Sequence, residues 1–220
     1  MREIKEIEGG FRILGDLEEA LICEVKLYFN RKIEISRHSC KLFLPRHVNL
    51  VEDMANEIIA QSRNYGRFKD ICEFSLRMAI TLHDIGHILK KEGEGDDHAV
   101  ISELRAEEFL LSKNVSNQII SRTCQIIRSH RNNDVKPEID EARILVAADS
   151  ASHLVDVCYI DMFRKFSKKE VREKLERDMR DLEIVREEIR GTAFWRGLVE
   201  LGKNWLGILD NYPDFLVCKN

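Results

Sequence analysis

Six side chains of the kinds that bind divalent metals recur through the middle of the chain in the order His, His-Asp, His, His, Asp. They are His47, His83, Asp84, His98, His130 and Asp149. Imidazole nitrogens and carboxylate oxygens both ligate such ions. The adjacent His-Asp pair ends an apolar helical run, where two polar groups are costly to bury unless each has a partner. The pattern therefore predicts a metal site.

Each step between these residues is about long enough for one helix and its connection, so successive helices could each bring a ligand to a common centre. Pro45 suits the first turn of a helix, which we expect to extend to about Asn64 with His47 on its apolar face. His38 has no periodic apolar neighbours. It is the less favoured alternative for the first ligand.

Helical periodicity and capping residues predict the remaining elements of the first 163 residues. The expected helices run from Asp16 to about Phe29, from Arg67 to His83, from Asp96 or Asp97 to about Lys113, from Ser116 to about His130, and onward from about Asp140. We expect Gly86 to end the second of these and residues 30–44 to form an irregular connection.

The segment Ile144–Ala148 is apolar on every side, which predicts a buried helix. Asp149 follows it directly, and a buried carboxylate needs a cation or hydrogen-bond donors. This argument for a ligand is independent of the motif order. His153, four residues further on, is expected to support that ligand or to be structural.

Between about Pro45 and Asp156 the chain resembles the HD-domain superfamily of metal-dependent phosphohydrolases. The resemblance lies in the motif order and in its local sequences RHVNLVEDMANEIIA, AITLHDIGH, DHAVISELRAEEFL, QIIRSH and ILVAADSASHL. It implies an all-α, HD-domain-like helical bundle. It also implies one metal held by His47, His83, Asp84 and Asp149. In the two-metal subset, Asp84 would bridge to a second metal held by His98 and His130.

The resemblance further implies hydrolysis of a phosphoester or phosphoanhydride in a small, nucleotide-like substrate by a metal-activated water, with Asp84 as a catalytic ligand. One or two ions of Fe, Mn, Ni, Co or Mg fit the mixed nitrogen and oxygen donors. His87 stands where many two-metal relatives have Lys, and it is a candidate proton donor or a hydrogen-bonded core histidine. Lys90 and Arg131 are candidate phosphate-binding residues, with surface charges as the alternative.

Two other functions are compatible with the same ligands. A minority of relatives with this set are mixed-valent di-iron oxygenases, and oxygen-dependent turnover would identify that activity. A non-catalytic nucleotide-sensing module could keep the metal as a structural element, and nucleotide binding without product release would identify it.

We expect the metal-binding domain to span residues 1–163 and a C-terminal helical extension, residues 164–220, to pack on it. Of the 27 residues from Arg164 to Arg190, 18 are charged. A thin apolar stripe predicts that this helix packs on the domain, with a homodimer interface as the alternative. The stripe consists of Val171, Leu175, Leu182, Val185 and Ile189. A final apolar helix is expected from Ala193 to Leu209.

Composition limits the function classes. The 220-residue chain has a formal charge of −4, which argues against nucleic acid as a partner. It lacks an apolar leader and a run long enough to cross a bilayer, so we expect a cytoplasmic protein without a membrane partner. Three prolines and eleven glycines favour long helices. Its six widely spaced cysteines predict free thiols.

Overall fold

The computed structural model describes residues 15–35, 43–91 and 93–211, and this part of the chain is helical and contains no strand. The all-α prediction is confirmed. The helices are α1 (Asp16–Ile35), α2 (Phe43–Arg63), α3 (Glu73–Leu82), α4 (Gly86–Leu89), α5 (His98–Ser112), α6 (Asn117–Ser129), α7 (Asp140–Val155), α8 (Cys158–Lys165), α9 (Lys168–Leu182), α10 (Arg186–Ile189) and α11 (Ala193–Asn211). His38, the alternative first ligand, lies outside the described residues.

The described helices include none that is long and apolar enough to span a bilayer.

Helix α7 lies at the centre of the bundle and packs against α2, α3, α6, α9 and α11. Every residue of Ile144–Ala148 is fully buried, as its apolar composition predicts. Because α7 has neighbours on all sides, Asp149 on this helix is close to several other elements at once.

Helix α1 extends to Ile35 instead of ending near Phe29. Ile33 lies four residues after Phe29 and is also buried, so the apolar face continues for another turn. The connection expected over residues 30–44 is therefore helical at its start. The part from 36 to 42 lies outside the described residues.

The helix expected from Arg67 begins only at Glu73. Gly66 and Phe68 adopt left-handed backbone conformations, with φ of 70° and 51°, which a right-handed helix cannot contain. Helix α3 then ends at Leu82, directly before the His-Asp pair. The helix propensities of the residues between Arg67 and Glu73 do not disfavour a helix, so the sequence alone does not predict the turn that precedes α3.

The charged segment 164–190 is not one helix. Phe166 is extended, and Ser167 begins α9 with a capping box in which Ser167 and Glu170 bond reciprocally. A 3-10 turn, Glu183–Val185, separates α9 from α10. The stripe residues are all buried: Val171, Leu175, Leu182, Val185 and Ile189. The division of the chain at residue 163 stays a prediction.

Gly86 begins α4 rather than ending a helix, and it brings α4 against the start of α5. Its backbone N–H donates to Ser102 Oγ at 2.8 Å. A Cβ added at Gly86 would lie 2.3 Å from the carbonyl oxygen of His98 and 2.9 Å from the backbone nitrogen of Ser102. Only glycine permits this approach, which fixes the position of His98 relative to the His-Asp pair.

We expect Gly86→Ala to lower the free energy of unfolding by about 1–3 kcal/mol, because a backbone atom of α5 would have to move. Gly95→Ala is the matched control, since a Cβ there meets no atom within 4 Å. Its effect should stay within about 0.5 kcal/mol. Urea denaturation of the two variants measures both values, and equal stabilities would contradict the close packing of α4 on α5.

Candidate metal centre

The six residues of the motif converge on one centre, although they come from five different parts of the fold. Four of them lie at helix ends and two lie within helices. Their positions are near the start of α2 (His47), directly after α3 (His83 and Asp84), at the first residue of α5 (His98), directly after α6 (His130) and within α7 (Asp149). Successive helices each contribute to the centre, as the spacing predicts.

The first half of the centre is built around the Nε2 atom of His47. This atom lies 3.3 Å from His83 Nε2, 3.0 Å from Asp149 Oδ1 and 3.5 Å from Asp84 Oδ2. The side chains of His47 and His83 are almost fully buried. Three helices thus place four donor atoms around a single point.

The second half is built around the other oxygen of Asp84. Asp84 Oδ1 lies 3.3 Å from His98 Nε2 and 3.7 Å from His130 Nε2. The two imidazole nitrogens are 3.1 Å apart. Because Oδ2 of the same carboxylate faces His47, Asp84 stands between the two halves in a bridging position.

Backbone carbonyls at helix ends fix the orientation of two of these imidazoles. His83 Nδ1 lies 2.8 Å from the carbonyl oxygen of Ile80, and His130 Nδ1 lies 2.7 Å from that of Ile127. A carbonyl can only accept, so Nδ1 carries the proton in both residues. Their Nε2 atoms are then unprotonated and available to a metal.

Ser152 orients the third buried imidazole. Its hydroxyl donates to the carbonyl oxygen of Asp149 at 2.7 Å, so it can accept from His47 Nδ1, which is 3.2 Å away. In that tautomer Nε2 of His47 is unprotonated and faces the unprotonated Nε2 of His83. Two lone pairs at this separation fit a cation between them.

Asp149 gives a further test of fit to a metal. Its Oδ1 atom is buried and makes no hydrogen bond of good geometry within the described structure, although His47 Nε2 is 3.0 Å away. The two atoms are close because both point into the centre. A buried anionic oxygen without a hydrogen bond is costly, and this donor set fits a divalent cation.

The electrostatics of the centre keep its groups in metal-binding protonation states. Burial opposes ionisation of Asp84, but the imidazoles of His83 and His98 outweigh it and hold the pKa of Asp84 well below its usual range. Burial likewise opposes ionisation of Asp149, and His153 and His47 lower its pKa well below the usual value.

The pKa of the His130 imidazole is shifted in the direction that favours the neutral ring. Burial, reinforced by His83, lowers the pKa of His130 to about 4. The ring of His130 is therefore neutral at neutral pH. Ligation requires a neutral imidazole and an ionised carboxylate, and both kinds of ligand are present.

A cavity of about 190 Å³ opens onto the second half of the centre. His87 and Arg131, two of the residues that the sequence singles out, line it. His87 Nε2 lies 3.7 Å from Asp84 Oδ1, and its ring stacks on that of His98 at 4.0 Å between centroids. Lys90 is not among the lining residues, and its ammonium instead pairs with the exposed Asp96.

Helix α9 also lines this cavity, which the sequence does not predict. It contributes Lys174, Arg177, Asp178 and Asp181. The available signal was Asp178, because it continues the spacing of the apolar stripe between Leu175 and Leu182. A carboxylate at such a position has to be buried and partnered, and Asp178 is 1% exposed.

His153 connects α9 to the metal centre. Its Nδ1 atom lies 2.9 Å from Lys174 Nζ and 3.4 Å from Asp178 Oδ2, and its Nε2 atom lies 3.9 Å from Asp149 Oδ1. His153 also forms a potential metal-binding group with His47 and Asp149. The structure therefore places it beside a ligand, as expected from its spacing.

Comparison with protein families gave a match to the HD domain over residues 46–153, just under half of the chain. Searches of curated proteins and of solved structures gave no significant match. The matched segment contains all six residues of the motif and ends before α8 and α9. The HD superfamily consists mostly of metal-dependent phosphohydrolases. Residues 46–153 thus match the HD domain, and the His and Asp side chains that converge within this segment fit a metal-binding site of that kind.

Proposed function

We propose that this protein is a metal-dependent phosphohydrolase that cleaves a phosphoester or phosphoanhydride bond in a small, nucleotide-like substrate. The observation that carries the proposal is the placement of Asp84, whose two oxygens face two separate groups of histidines. Divalent cations bound there would supply Lewis acidity, lower the pKa of an attacking water and neutralise charge on the phosphoryl oxygens.

The donor atoms divide into two sets. We assign the first metal to His47, His83, Asp149 and Oδ2 of Asp84, and the second to the remaining oxygen of Asp84 together with His98 and His130. The carbonyl and hydroxyl partners of the Nδ1 atoms support this division, because they direct Nε2 inward. Fe, Mn, Ni, Co and Mg all suit this mixture of donors.

Two residues that line the cavity, His87 and Arg131, are positioned to contact the substrate. His87 is 39% exposed and borders the cavity beside Asp84, a suitable position for donating a proton to the leaving oxygen. Arg131 pairs with Asp97 at 3.2 Å and keeps its guanidinium on the lining, where it would bind phosphate oxygens. We assign no phosphate contact to Lys90, since its partner is Asp96.

The size of the cavity bears on the substrate. Pockets that enclose whole small-molecule ligands usually measure about 300–1,000 Å³, and this cavity measures about 190 Å³. It therefore suits a phosphoryl group better than a complete nucleotide. The organic part of the substrate would remain at the cavity mouth.

Elemental analysis beside a phosphatase screen tests the proposal directly. We expect about two metal ions per wild-type chain, together with phosphate release in added Mn²⁺. Asp84→Asn should lose both metal and turnover, because one oxygen of the bridging carboxylate becomes a weakly ligating amide. Asp96→Asn is the matched control at an exposed position outside the cavity and should change neither. Full activity of Asp84→Asn would refute the assignment, and oxygen-dependent turnover would indicate an oxygenase.

Removal of one ligand from the second set tests whether two metals bind. We expect His98→Ala to reduce the bound metal from about two ions to about one, because the first set keeps all its donors. Turnover should fall with it. His98 is only partly buried, so the variant should fold. Unchanged metal content would restrict the centre to one ion.

The proton-donor role of His87 predicts a change in rate without a change in metal. His87→Gln should lower kcat by about a hundredfold or more while the metal content stays constant. Lys90→Gln, three residues later and outside the cavity, is the control and should keep kcat. An unaltered kcat in His87→Gln would show that another group, or water, donates the proton.

A further inference from the structure

Arg177 differs from the other cations of the cavity. It lies on α9, outside the segment matched by the HD domain, and its side chain lines the cavity together with the ligands of the metal centre. Its guanidinium makes no hydrogen bond or ion pair with another residue that the structure describes. A half-buried guanidinium facing a site of this kind is suited to an external anion.

The neighbouring cations are already engaged. Lys174 donates to both oxygens of Asp178 and approaches His153 Nδ1. Tyr159 donates its hydroxyl to the same carboxylate at 2.5 Å. These contacts compensate the charges of Lys174 and Asp178 within the protein. Arg131, on the opposite wall, is paired with Asp97.

Asp181, one turn after Arg177, does not serve as its partner. Its oxygens take hydrogen bonds from Asn132 Nδ2 at 2.9 Å and from Ser150 Oγ at 3.4 Å. The positive charge of Arg177 influences Asp181 electrostatically, but the two side chains form no ion pair. The guanidinium fork of Arg177 therefore keeps its donors for another group.

We propose that Arg177 binds the terminal phosphoryl group of the substrate from the side opposite the metal ligands. The proposal rests on the function proposed above and extends it in two respects. It assigns phosphate recognition to the C-terminal extension. It also specifies a substrate with a terminal phosphoryl group, because such a group has three non-bridging oxygens, enough for both the metal centre and the guanidinium of Arg177, whereas a diester has only two. A phosphodiester, substituted on both sides, fits this enclosure poorly.

Binding of inorganic phosphate to the Mn²⁺-loaded protein, measured by calorimetry, tests the role of Arg177 without any need for turnover. We expect Arg177→Gln to weaken phosphate binding by about tenfold to a hundredfold. Arg177→Lys keeps the positive charge but lacks the parallel N–H donors of a guanidinium, so it should weaken phosphate binding by an intermediate amount. Arg180→Gln removes the same charge from an exposed position on the same helix and should stay within about twofold of wild type.

Metal content and melting temperature, measured on each variant, identify any that is misfolded. If Arg177→Gln loses its fold, the comparison of Arg177→Lys with wild type decides the question. Equal phosphate affinity in Arg177→Gln and Arg180→Gln, with metal retained, would overturn the proposal. Phosphate binding that depends on Arg177 in a protein without hydrolase activity would support the recognition site and refute the proposed function.

Turnover gives the second readout. With p-nitrophenyl phosphate, a monoester, Arg177→Gln should raise KM more than it lowers kcat, because Arg177 contacts a part of the phosphoryl group that is bound before the reaction. With bis-p-nitrophenyl phosphate, a diester, wild-type activity should be lower. A wild-type enzyme that prefers the diester, or an Arg177→Gln variant with unchanged KM, would contradict the assignment even though the protein is a hydrolase.

Discussion

Two ionised carboxylates and four imidazoles have to share a centre that solvent hardly reaches, and most of the fold serves this requirement. Charge at such a place is unfavourable unless each group is compensated. The carboxylates of Asp84 and Asp149 face imidazole nitrogens rather than one another. The outer nitrogens of His83 and His130 donate to carbonyl oxygens of the helices that precede them, and the outer nitrogen of His47 faces the Ser152 hydroxyl on α7. Inner donor atoms of neighbouring residues lie 3.0 to 3.3 Å from one another, an arrangement that fits a cation.

Helix ends are the structural means by which these groups are oriented. Carbonyl oxygens in the last turn of a helix have acceptor capacity to spare, and in α3 and α6 the carbonyls of Ile80 and Ile127 hold the Nδ1 protons of His83 and His130. The close approach of α4 to α5 at Gly86 places His98 from the other side. Helix ends and the turns directly after them therefore set the positions of the donor atoms.

The periodicity of apolar residues was sufficient to predict an all-α fold, and it located α2, α5, α6 and α7 closely. It failed where a helix was interrupted for reasons of backbone conformation, as at Phe68, or by a capping box, as at Ser167. In the site, the six side chains that converge could be picked out from the sequence because their order and spacing are specific. Arg177 could not, since nothing in a densely charged helix distinguishes a cavity-facing arginine from a solvated one.

Helix α9 lies outside the HD segment. It contributes to the packing of the fold in one way and to the lining of the cavity in another. In the fold, α9 packs on α7 through the buried stripe and could be regarded as an accessory. In the site, the same helix carries Lys174, Arg177 and Asp178 on the wall facing the metal centre, and His153 links that wall to Asp149. Without α9 the six converging side chains would remain, but His153 would lose Lys174, Tyr159 would lose Asp178, and the cavity would open to water. The helix outside the family segment thus forms part of the cavity lining, while the family segment carries the six converging side chains. On the function proposed above, relatives that share these six side chains but not this helix would share the metal chemistry and differ in their choice of substrate.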